Sequence, residues 1–233
     1  MKPNGIIMYN GPSQIDGKPI VAILTGVGRK SKNGKTGDMC QLFIMRSDMS
    51  PLSASCEYED KSICGNCPHK HNTGGACYVN LAKGLGNVYR AYKRGSYVKY
   101  NPDMDNLIAS KPIRLGAYGE PTAIPVQILA RLNDLSKTTG YTHRWYIKNC
   151  QDYRKYCVAS VDSSAEYYLA KSMGWQTFRV RLANGELNPN EMVCPAESNG
   201  TNCVNCMRCN GKGKRDMVIT VHGMLKKRFT GDK

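Results

Sequence analysis

Eight of the eleven cysteines fall into two groups, Cys56, Cys64, Cys67 and Cys77, then Cys194, Cys203, Cys206 and Cys209. This clustering constrains the fold, because a group that holds metal must bring its sulfurs to one point. The inner spacings, Cys64-Gly-Asn-Cys67 and Cys203-Val-Asn-Cys206-Met-Arg-Cys209, leave two residues between thiols. At that reach one loop grips a zinc ion or an iron-sulfur cluster. Cys40, Cys150 and Cys157 stand apart among apolar or aromatic neighbours, where a free thiol serves as a small buried hydrophobe.

No run near the N-terminus has signal-peptide character, and no stretch approaches the roughly 18 to 20 apolar residues that cross a bilayer. The expectation is a soluble cytoplasmic protein with no membrane partner. Disulfides are rare in that compartment, so Cys-x-x-Cys spacing favours metal. The chain's 233 residues, 41% of them apolar, suffice for a substantial core.

Charge is strongly basic, 33 Lys and Arg against 18 Asp and Glu, a net +15. That balance makes a nucleic acid or nucleotide a candidate partner. Eight metal-bound thiolates would offset much of it, so net charge alone does not select the partner. Basic residues crowd 29–35, 90–99, 208–215 and 226–228. Within the third run, Arg208, Lys212, Lys214 and Arg215 adjoin the second cysteine loop and are the candidate nucleic-acid contacts.

Along the chain, residues 1–38 form a basic N-terminal extension that suits a hairpin, with an apolar run at 19–24 of strand character. Gly26-Val-Gly28 followed by Lys30 lacks the ending and helix start of a phosphate loop. From residue 39 strand and helix patterns alternate up to 223, followed by a basic tail, 224–233. Strands are expected at 39–46, 112–116, 141–147, 157–161, 175–182 and 217–222, and helices at 79–94, 125–137 and from Ser163 to Gly174. Such alternation predicts βαβ units and a parallel sheet, with the cysteine loops at 56–77 and 194–209 placed after strands. In that architecture sites gather beyond the carboxyl ends of the strands. There lie Gly119-Glu120-Pro121, His143, Asp162-Ser163 and His222. Asp162-Ser163 also suits a plain helix start, and His69 and His71 suit an exposed loop.

The cysteine loop after the first strand and the glycine-glutamate turn after the second together resemble the radical S-adenosylmethionine superfamily. The resemblance spans about 39–223. It implies a six-stranded parallel partial barrel, (β/α)6-like, with Cys56, Cys64 and Cys67 holding a 4Fe-4S cluster and Gly119, Glu120 and Pro121 contacting S-adenosylmethionine. The spacing departs from the family: seven residues rather than three separate Cys56 from Cys64, Asn66 replaces an aromatic, and Cys77 adds a fourth thiol. Two functions follow. One is an iron-sulfur, radical-SAM-like enzyme abstracting hydrogen from a nucleotide or nucleic acid, with the Cys194 group as an auxiliary or structural site. The other is a non-enzymatic protein with two zinc ions, each held by four cysteines, that binds nucleic acid through a basic surface.

Overall fold

Apolar runs of strand length assemble into one sheet. The structure is a computed structural model that describes residues 3–31 and 33–231. Lys32 of the first basic run, residues 1 and 2 of the extension, and residues 232 and 233 of the tail lie outside the described residues. Strands β1 (Gly5–Pro12), β2 (Pro19–Thr25) and β3 (Cys40–Arg46) form an antiparallel meander. A short β4 (Val98–Lys99) lies parallel to β1. Then come β5 (Ile113–Tyr118), β6 (Thr138–Thr142), β7 (Val158–Val161), β8 (Thr177–Arg181), β9 (Glu191–Val193) and β10 (Asp216–Thr220). The spatial order is β4-β1-β2-β3-β5-β6-β7-β8-β10-β9, and every pairing from β3 to β9 is parallel.

The architecture is therefore mixed α/β, with a mostly parallel ten-stranded sheet. The sheet does not close, because β4 and β9 remain as its two edges. Five of the six expected strands lie close to their expected bounds. The extension is not a separate appendage, since β1 and β2 continue the sheet beyond β3.

Helices α1 (Pro51–Cys56), α2 (Lys61–Cys64) and α3 (Gly84–Lys93) follow β3, and α4 (Asp105–Ala109) precedes β5. Helices α5 (Val126–Leu135) and α6 (Ser164–Ser172) connect parallel strands, while α7 (Pro195–Ser198) and α8 (Cys203–Cys206) belong to the second cysteine loop. The capping signature at α6 forms: Ser163 Oγ accepts the Glu166 N–H at 3.1 Å, and Glu166 Oε2 accepts the Asp162 N–H at 2.7 Å. The helix expected from residue 79 starts only at Gly84. Asn80 Oδ1 accepts the N–H groups of Ala82 and Lys83, a local turn that competes with helix.

The strand expected over 141–147 instead occupies Thr138–Thr142. Its continuation is diverted because the His143 N–H goes to the Glu120 carboxylate at 3.0 Å rather than to a neighbouring strand.

Alternation along the parallel strands gives the sheet two different faces. Ile113, Leu115, Ala159 and Val161 pack with Leu129 and Leu132 of α5 and Tyr167 of α6 in the larger core. The opposite positions, Val158, Phe178, Met217 and Ile219, form a smaller core with Tyr141, Val180, Cys194 and Cys209. That second face, covered by the cysteine loops instead of long helices, carries the cavity described next. On the other, helix-covered face, toward the β9 edge, Arg179 on β8 holds Glu191 on β9 in a fully buried bidentate pair, at 2.8 and 2.7 Å.

Candidate functional site

Because β3, β5, β6, β7 and β10 are parallel, the segments leaving their carboxyl ends converge. They enclose a mostly apolar cavity of about 190 Å³. Cys64, Cys67 and Cys77 line it from the loop after β3, and Cys194 and Cys203 from the second cysteine loop. Both cysteine groups thus face one space.

Cys56 does not join them. It ends α1 in an exposed position, and Tyr58 at φ +60° turns the chain away before α2 begins. The first group at the cavity is Cys64, Cys67 and Cys77, not the Cys56, Cys64 and Cys67 set that the family resemblance implies. Cys64 ends α2, its Cys-x-x-Cys turn closed by the Cys67 N–H donating to the Cys64 carbonyl at 3.1 Å. Cys77 is brought back by its N–H donating to the His69 carbonyl at 2.9 Å. Burial pushes the Cys64 thiol well up, and the neighbouring Cys67, Asp60 and Cys77 add to it. Cys77 is raised by the same burial.

In the second group Cys194 caps α7, Cys203 and Cys206 begin and end α8, and Cys209 follows after Met207 at φ +52°. Burial drives the Cys209 thiol far up, with Cys194, Cys203 and Cys206 contributing. The loop is fixed on the sheet face by the Gly140 N–H donating to the Cys209 carbonyl at 3.0 Å. Its other anchor is the N-terminal loop, where the Lys35 and Thr36 carbonyls accept the N–H groups of Cys203 and Val204 at 3.2 and 3.0 Å.

Tetrahedral zinc, with Zn–S bonds near 2.3 Å, draws sulfurs to about 3.8 Å of one another. Among the described residues no three cysteine sulfurs come within 4.8 Å of one another. Three cysteines thus stand at the first site, and the second loop carries four.

Glu120 lies between β5 and β6 and is only 5% exposed. Its Oε2 accepts the Thr142 hydroxyl at 2.6 Å, and its Oε1 accepts the His143 N–H at 3.0 Å and faces His143 Nδ1 at 3.1 Å. Gly119 before it adopts φ +80°, and a Cβ there would lie 2.6 Å from the Ile44 carbonyl oxygen. Only glycine lets the turn pass so close to β3. Pro121 opens the buried turn that follows, Pro121–Ala123. Burial pulls the His143 pKa down, but its interactions with Cys67 and Glu120 outweigh it and hold the imidazole well above its usual range.

Several cavity residues carry no motif. Arg114, on β5, is 7% exposed and donates to the hydroxyls of Tyr141 and Tyr78 at 3.1 and 3.0 Å. Its guanidinium also lies 4.8 Å from the Tyr141 ring centre. Lys35 contacts His222 and covers the Tyr78 ring at 5.1 Å. Phe229 of the tail packs on His69, ring centres 5.7 Å apart. Arg114 had one signal in the sequence, a charge inside an apolar strand. Lys35 had only its place in the basic run 29–35, and Phe229 had none. His69 is not a loose loop residue, because its Nε2 lies 2.8 Å from Asp162 Oδ2. His71 lies outside the cavity lining, its Nε2 2.9 Å from the Val79 carbonyl. Arg208, Lys212, Lys214 and Arg215 are all exposed.

No family model, curated protein or solved structure matches the chain significantly. No helix among the described residues is long and apolar enough to cross a membrane.

Proposed function

We propose that the chain is an iron-sulfur, radical-SAM-like enzyme with a nucleotide or nucleic-acid substrate. The observation that carries this reading is the convergence of Cys64, Cys67 and Cys77 with the Gly119-Glu120 turn on one cavity. Six parallel strands, β3, β5, β6, β7, β8 and β10, follow one another in space as in chain order, which supports an opened (β/α)6-like core. Flanking strands on either side explain why such a core would stay open.

Three cysteines would hold a 4Fe-4S cluster and leave one iron for S-adenosylmethionine, while the Cys194 group would hold a second cluster. Once bound, the first cluster and S-adenosylmethionine would supply radical hydrogen-abstraction chemistry at this cavity. The chain's own residues bind and orient. Glu120, fixed by Thr142 and His143, presents an oriented carboxylate at the cavity for the cofactor's amino group. Arg114 and Lys35 line the same cavity and place positive charge on it, suited to a phosphate or carboxylate. Tyr78, Tyr141 and Phe178 offer ring faces for a base.

Anaerobic purification with iron, sulfide and zinc analysis tests this reading. Brown protein that cleaves S-adenosylmethionine on reduction is the expected result. Colourless protein with about two zinc ions per chain refutes it. That outcome selects the second reading, a zinc protein that binds nucleic acid, which the exposed run from Arg208 to Arg215 favours.

A further inference from the structure

Apart from the cysteines, one other group of potential ligands converges. Ligand atoms of His69, His143 and Asp162 all lie within 4.8 Å of one another, and no other such group occurs among the described residues. The two histidines line the cavity, and Asp162 leaves the end of β7 beside them.

We propose that His69, His143 and Asp162 bind one divalent first-row transition metal, iron(II), zinc or manganese, with open coordination positions toward the cavity. Two histidines and one carboxylate are the ligand set that leaves such positions open. Three features beyond proximity support the site. His69 Nε2 and Asp162 Oδ2 approach to 2.8 Å, yet His69 Nε2 makes no hydrogen bond, so the contact lacks the directionality of a donor and acceptor. Two ligands on one ion approach in this way. Asp162 Oδ1 is likewise buried without a partner, which is costly unless something binds it.

The third feature is the outer support. His143 Nδ1 faces the Glu120 carboxylate at 3.1 Å, leaving Nε2 for a metal. A carboxylate that takes the second ring nitrogen fixes the tautomer and orientation of a ligating histidine. Glu120 is thereby shared, holding His143 on one side and facing the cavity on the other. The Phe229 ring against His69 shields the site from the tail side.

The test uses anaerobically prepared protein with its cysteine sites already filled. It is dialysed to equilibrium against Co2+ and counted by elemental analysis. The wild type is expected to take up one cobalt per chain beyond the metal its cysteines hold. His69→Ala and the near-isosteric Asp162→Asn should each weaken cobalt binding about 10-fold or more, with iron or zinc content at the cysteines unchanged as the check on folding. His71→Ala, outside the site, should bind as the wild type does. Absence of an extra cobalt in the wild type overturns the proposal, as does equal binding by the Asp162→Asn protein. The count stands whether the cysteines hold iron or zinc, so its failure is separate from failure of the iron-sulfur reading.

Discussion

Exchanging Cys77 and Cys56 for serine one at a time separates the two candidate ligand sets at the first site. Cys77 lines the cavity with Cys64 and Cys67, whereas Cys56 is exposed at the end of α1. With a 4Fe-4S cluster on each cysteine group the wild type holds about 8 irons per chain. Cys77→Ser removes one of three protein ligands from the first cluster and should drop the count to about 4, the share of the Cys194 group. Cys56→Ser should stay near 8, with stability within about 0.5 kcal/mol of wild type, as for an exposed position without partners. Cys203→Ser should remove the other half, and Cys77→Ser with Cys203→Ser should leave colourless protein. Iron and sulfide are determined after anaerobic reconstitution, with the visible spectrum as the parallel readout. Equal loss from Cys56→Ser, or wild-type iron in Cys77→Ser, refutes the assignment.

Gly119→Ala forces a side chain into φ +80° and against the Ile44 carbonyl, and should lower stability by at least about 2 kcal/mol. An unchanged urea midpoint would count against the tight turn. Glu191→Ala leaves Arg179 buried without its carboxylate and should cost about 3–5 kcal/mol, read as a lower melting temperature. A melting temperature equal to wild type would show that the pair is not desolvated. Burial raises the Cys64, Cys77 and Cys209 thiols, so in metal-free protein they stay protonated where unfolded thiols ionise. Metal-free protein should therefore lose stability as pH rises beyond about 8.5, since the unfolded state then binds fewer protons. Denaturation midpoints flat from about pH 7.5 to 9.5 would contradict the burial of these thiols.

The strands were legible because their apolar runs are short and bounded, as in Cys40–Arg46 and Val158–Val161. β6 was misplaced because Thr138 and Thr139, though β-branched, make no apolar run and Gly140 weakens the strand signal, whereas the aromatics after Tyr141 imitate one. What ends that strand is a carboxylate more than twenty residues away in sequence, and no local pattern reports it. Cysteine spacing exposed both loops but not the choice within the first. That choice depends on the turn at Tyr58 separating α1 from α2, a break that neither periodicity nor composition marks. His69 and Asp162 were likewise readable only as a loop residue and a helix start, because their meeting joins the ends of β3 and β7 through a long loop.

The basic surplus also changes meaning once Arg114 is placed. Among the described residues its guanidinium pairs with no carboxylate, only with two tyrosine hydroxyls and one ring face. Burial works against that charge, yet Tyr141, Tyr78 and Cys203 together favour it. A buried cation without an acidic partner is tenable where negative charge arrives from elsewhere. Metal-bound thiolates of the Cys194 group would supply it on one side under the proposed iron-sulfur reading, and an anionic substrate would on the other. Lys35, drawn over the same cavity by the loop that anchors α8, extends that field. The interior cations thus answer the cysteines and the cavity, and only the exposed run from Arg208 to Arg215 remains for a phosphate backbone outside.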